Sequence, residues 1–76
     1  MREDSYKSQD RERILSFISS QGGSALVEEV MEQSGAEPLR IYPILFEEIQ
    51  SGYVLVLKES GMGSPEIVAL SRSYNK

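Results

Sequence analysis

The chain has 76 residues and a formal net charge of −4, with 39% hydrophobic and 26% charged side chains and neither cysteine nor histidine. A chain of this length makes one domain that buries roughly 60% of its unfolded surface, so its core is small. Disulfides and thiolate metal sites are excluded, and so are the commonest general base and the commonest transition-metal ligand. No apolar run approaches the ~18–20 residues that span a bilayer, and "MREDSYKSQDRER" lacks the apolar core of a signal peptide. The sequence reads as soluble and cytoplasmic, with no membrane partner.

Charge is distributed unevenly. Residues 1–13 carry four basic and four acidic side chains, whereas residues 25–51 carry six glutamates against Arg40 alone. Residues 53–76 return to a slight basic excess, three against two. A phosphate-binding surface needs lysine or arginine. Here the basic residues gather at the two ends.

In chain order, residues 1–7 have no periodicity and read as a disordered N-terminal tail. A first helix is predicted over about 9–20, with Ile14, Leu15, Phe17 and Ile18 as its apolar stripe and Asp10 or Ser8 as its cap. "SSQGG" ends it. Ser24 is placed as the cap of a second helix over 25–33, "ALVEEVMEQ", with Leu26, Val27, Val30 and Met31 buried. Gly35 suits the position just past that helix. A third helix runs from about Leu39 to Ser51, stopped by Gly52. Pro43 is assigned to its first turn, where the N–H groups have no partner within the helix.

The apolar period then changes. Residues 53–58 and 66–71 read as strands around the turn chemistry of "ESGMGSP", a β-hairpin with a glycine-rich tip. Residues 72–76 form a short polar tail. Three helices followed by a two-stranded hairpin wing make an α+β winged helix-turn-helix over residues 8–71. Its expected core holds Ile14, Phe17, Ile18, Leu26, Val30, Ile41, Leu45, Ile49 and Leu55.

"IYPILFEEIQSGYV" resembles the third helix and following strand of PadR-like winged-helix regulators. Ile41, Tyr42, Pro43, Ile44, Leu45, Gly52 and Val54 match that pattern at the same spacing. The resemblance implies binding of double-stranded DNA as a homodimer to control transcription. The sequence departs from the family at Glu48, which stands where the family has a core leucine. This departure implies either a slightly rotated helix or Ile49 in the leucine's place. The family's C-terminal dimerisation helix is also absent from these 76 residues.

On a helical projection, Ile41, Ile44, Leu45 and Ile49 share one side of the third helix. Leu39, Pro43, Glu47 and Gln50 lie opposite, with Arg40 and Phe46 at the edges. Base edges are read by arginine, lysine, asparagine or glutamine. The expected DNA-binding residues are therefore Arg40 and Tyr42 on the helix and Lys58 in the wing. Two of the three have a plainer reading: Lys58 as a solvated surface charge and Tyr42 as partly core. Arg11 and Arg13 are expected to pair with Asp10 or Glu12. Glu28, Glu29 and Glu32 lie on a solvated helix face and make no metal site. "GMGSP" opens no helix and lacks the Gly-Lys-Ser/Thr ending of a phosphate loop. No nucleophile–base set can be assembled, so neither catalysis nor a cofactor is expected. The alternative to a DNA-binding regulator is a winged-helix module that binds another protein, with no DNA binding, through the acidic and apolar face of the third helix (Leu39, Pro43 and Phe46) and the hairpin edge.

Overall fold

The computed structural model describes residues 2–71, with side chains placed from Tyr6 onward. The elements are α1 (Arg2–Ser20), β1 (Ser24–Leu26), α2 (Val27–Gln33), α3 (Pro38–Ser51), β2 (Val54–Glu59) and β3 (Pro65–Leu70). The three strands form one antiparallel sheet in the order β1-β3-β2. The polar tail expected at 72–76 lies outside the described residues.

Helix α1 begins several residues before the predicted start and includes residues 2–7, which were expected to be disordered. What holds this extension is polar, which is why no apolar period announced it. Lys7 Nζ donates to Glu47 Oε2 of α3 at 2.6 Å, and Asp10, far from being a cap, is buried and bonded to Arg40. The helix ends where expected. Gly22 adopts φ 90°, its N–H donating to Ser19 O while Gly23 N–H reaches back to Ile18 O. These are the two bonds of a left-handed glycine cap.

Residues 24–26 form a strand and not the first turn of α2. They pair with β3 in the register Ser24↔Ala69, Ala25↔Val68 and Leu26↔Ile67. Three residues cannot display a period, and the free edge of β3 captures them. The predicted two-stranded wing is thus part of a three-stranded sheet. Ser24 does not cap α2; Leu26 occupies that position, with no side-chain cap bond.

In α3 the proline at the first position is Pro38, and Pro43 lies inside the helix. Pro43 therefore removes the bond that an amide there would make to Leu39 O. Leu39 is 84% exposed, so water can satisfy what the proline leaves open. At the other end Gly52 has φ 87°; its N–H donates to Ile49 O, and Tyr53 N–H to Glu48 O. The switch from helix to strand at Ser51–Gly52 is this cap.

Ile14, Leu15 and Ile18 of α1, Val27 and Val30 of α2, and Ile41, Ile44 and Leu45 of α3 close over Ala25, Val54 and Val68 of the sheet. Phe17 and Ile49 are half-buried against this core. Leu26 and Leu55, both expected inside, are exposed. The strand pleat decides this, because burying Val54 and Val68 turns Leu55 and its partner Ala69 to the other face. Glu48 itself takes the core position, which neither alternative drawn from the sequence expected: it is only 4% exposed, with Arg11 Nη1 at 3.6 Å from its Oε2, and Ile49 is only half-buried. Among the described residues no helix is long and apolar enough to cross a membrane.

Candidate nucleic-acid interface

The outward side of α3 and the turn between β2 and β3 are the surfaces on which the expected contacts lie. The turn is held by its own bonds. Ser60 N–H donates to Ser64 O at 2.8 Å, and Ser60 Oγ accepts from the N–H groups of Met62 and Ser64. Met62, at its tip, is 92% exposed.

Tyr42 is half-buried on α3 and stacks on Phe46, with ring centroids 6.1 Å apart. It helps line a groove of ≈ 410 Å³ between α2, α3 and the wing, together with Met31, Met62, Ser64 and Pro65. Tyr42 and the wing tip therefore face one space. Glu28 and Glu66 also line it. Anion repulsion is built into that side of the groove.

Arg40 lies elsewhere on α3. Its Nη1 donates to Asp10 Oδ2 at 2.7 Å, and its guanidinium stands 5.8 Å from the centre of the Tyr6 ring. It lines a separate depression with Lys7, Leu39, Pro43 and Ile44. Lys58 is exposed on β2 opposite Ile67 and forms no ion pair among the described residues. The structure thus brings Tyr42 to the wing tip but does not gather Arg40, Tyr42 and Lys58 at one point.

Along the α1–α3 seam the cations have intramolecular partners. Lys7 meets Glu47, Arg11 meets Glu48, and Asp10 accepts from both Arg13 and Arg40. The expected pairing of Arg13 with Asp10 is present; Arg11 turns to Glu48 instead of a neighbour on its own helix. Arg40 spends one N–H on Asp10, and its side chain stays 43% exposed, so a guanidinium edge is still open to solvent. Sequence reasoning missed Met31 and Met62 as walls of the groove, because α2, α3 and the turn between β2 and β3 are brought to one space only by the tertiary fold. It also missed Lys7, whose bond to Glu47 lowers the negative potential on α3. The charge complementarity of "YKSQDRER" and "FEE" was the one available signal. Among the described residues no cluster of acidic side chains is placed to hold a metal ion.

No family model and no curated protein matches this sequence. Among solved structures the chain is similar to the Zalpha domain of Carassius auratus PKZ, determined in complex with Z-DNA. The match has a TM-score of 0.65 and 19% sequence identity, and covers 84% of this chain and 95% of that one. Likeness at this identity carries the fold: the chain is a winged helix.

Proposed function

We propose that this chain is a small DNA-binding winged helix, a transcription regulator that acts as a dimer and docks α3 and the wing on a duplex. The observation that carries the reading is the shared groove, in which Tyr42 of α3 and the bonded turn at Ser60–Ser64 face the same space. The similarity to a domain determined in complex with Z-DNA supports DNA as the partner. In this reading Lys58 contacts phosphate as an unpaired surface charge. Tyr42 offers its hydroxyl and ring from the groove. Arg40 presents the guanidinium edge that Asp10 leaves open, with Asp10 fixing its direction.

The test is fluorescence anisotropy at low salt against a mixed-sequence duplex and an alternating dC–dG duplex held in the Z form. Tyr42→Ala and Lys58→Ala are expected to weaken binding, Lys58→Ala nearly uniformly across sequences. Binding that is unaffected by both substitutions would place the contact elsewhere.

A second reading has its own observation: Leu39 and Phe46 are exposed apolar side chains on α3, beside Pro43. A module that binds another protein would use them. It predicts that Phe46→Ser abolishes partner capture while charge changes do little, the reverse of the DNA pattern.

A further inference from the structure

We propose that Lys7 and Arg40 form a phosphate clamp at the α1–α3 seam, which takes the sugar–phosphate strand of a bound duplex on the side of α3 away from the wing. This rests on the DNA-binding reading above and adds a contact from α1 to it. Leu39, Pro43, Phe46 and Gln50 are exposed and make a ridge along α3. Helical phase puts Tyr42 on one flank of that ridge and Arg40 and Glu47 on the other. The first flank faces the wing across the groove that Tyr42 lines. The second faces α1, where Lys7, Leu39, Arg40, Pro43 and Ile44 line a depression of ≈ 270 Å³. A helix that enters the major groove has a phosphate strand on each side of it, and contacts to those strands fix how the protein lies. The wing serves one strand, and the seam serves the other.

The two cations come from different helices, and each keeps donors to spare. Lys7 Nζ gives one of its three N–H groups to Glu47 Oε2 at 2.6 Å, and its side chain is 49% exposed. Arg40 gives one of five to Asp10 Oδ2 at 2.7 Å. Their acceptors differ in kind. Asp10 is buried and accepts from Arg13 as well, so it holds Arg40 in place without confronting an incoming anion. Glu47 is half-exposed, and a surface pair of this sort is weak, which leaves Lys7 able to turn toward a phosphate. In the ion pairs of the seam four cations stand against three carboxylates, an excess of one on a chain whose net charge is −4. The floor of the depression favours a sugar–phosphate strand over a free anion. Leu39 and Pro43 offer exposed apolar surface on which the carbon face of deoxyribose packs while its phosphate meets the cations. Lys7 is then the third phosphate contact of each subunit, beside Arg40 and Lys58.

The experiment is fluorescence anisotropy of the full chain against a mixed-sequence duplex over a series of salt concentrations, with circular dichroism as the check on folding. Lys7→Ala is expected to keep its helix content, because the pair it loses lies at the surface. It is expected to weaken duplex binding several-fold and to flatten the salt slope by about 0.9 per subunit bound. Lys7→Arg, which keeps the charge, is expected to restore both. In the wild type, adding duplex is expected to shift the amide NMR signals of Lys7 and Arg40, a readout that needs no substitution. Duplex binding whose strength and slope Lys7→Ala leaves unchanged overturns the clamp and leaves the DNA reading standing. A wild type that binds no duplex at low salt overturns both. A poly-glutamate peptide that binds through Lys7 more tightly than the duplex does would assign the depression to an acidic protein partner, and overturns the clamp as well.

Discussion

The α1–α3 seam and the outer face of the sheet solve the same problem in opposite ways. At the seam, two carboxylates, Asp10 and Glu48, are buried between helices and held by arginines. On the sheet, two leucines stand in water at Leu55 and Leu57. A small domain has too little polar surface to cover itself and too little core to hide every apolar side chain. The seam fixes how the helices lie, because buried charges require particular partners. The exposed leucines of the sheet make no such demand on a partner.

Substitutions can break this contrast, beginning with the core both regions rest on. Leu45→Ala removes a fully buried side chain of α3. It should cost about 2–5 kcal/mol in urea unfolding, much of the stability of so small a domain. Asp10→Ala comes next. It strips two arginines of their shared acceptor and should cost about 1.5–3 kcal/mol, the range for hydrogen bonds to charged groups. Arg40→Ala should cost less, since Arg13 still reaches Asp10 at 3.3 Å. Gly52→Ala places a Cβ at φ 87° and should lower stability by about 1–2 kcal/mol.

Glu48→Leu sharpens the contrast from the other side. Glu48 Oε1 is buried with no hydrogen-bond partner among the described residues, and Arg11 is half-exposed and can turn to water. Replacing a poorly satisfied buried charge with an apolar residue should raise the melting temperature, by about 1 kcal/mol of stability. A loss would mean that the Arg11 pair outweighs its desolvation. Leu57→Ser should change monomer stability by less than about 0.5 kcal/mol, because its side chain buries little.

Much of the fold was legible because its signals are local. The "SSQGG" run and Gly52 mark helix ends, and the change of period after Ser51 marks the wing, whereas the proline that opens α3 is Pro38 and not Pro43. The errors share a physical origin in contacts between distant residues. β1 exists because β3 has a free edge, and nothing within "SAL" specifies a strand. The extension of α1 depends on Glu47 and Arg40, some thirty to forty residues away. Glu48 reads as a surface residue until Arg11 is beside it. At the candidate site, Arg40, Tyr42 and Lys58 are expectations from residue type and helical phase. That Asp10 holds Arg40, and that Met62 folds over the groove beside Tyr42, required the tertiary structure.

A duplex docked on α3 and the wing would be held by few ionic contacts, since the seam consumes most of the nearby cations. The most direct measurement is the salt dependence of duplex affinity. Each neutralised phosphate contributes about −0.9 to the slope of log affinity against log salt, so a dimer using two or three per subunit should give roughly −4 to −5. Lys58→Ala should flatten that slope by about 1 for each subunit bound. A slope near −10, or one that Lys58→Ala leaves unchanged, would contradict the account, as would the absence of any duplex binding at low salt.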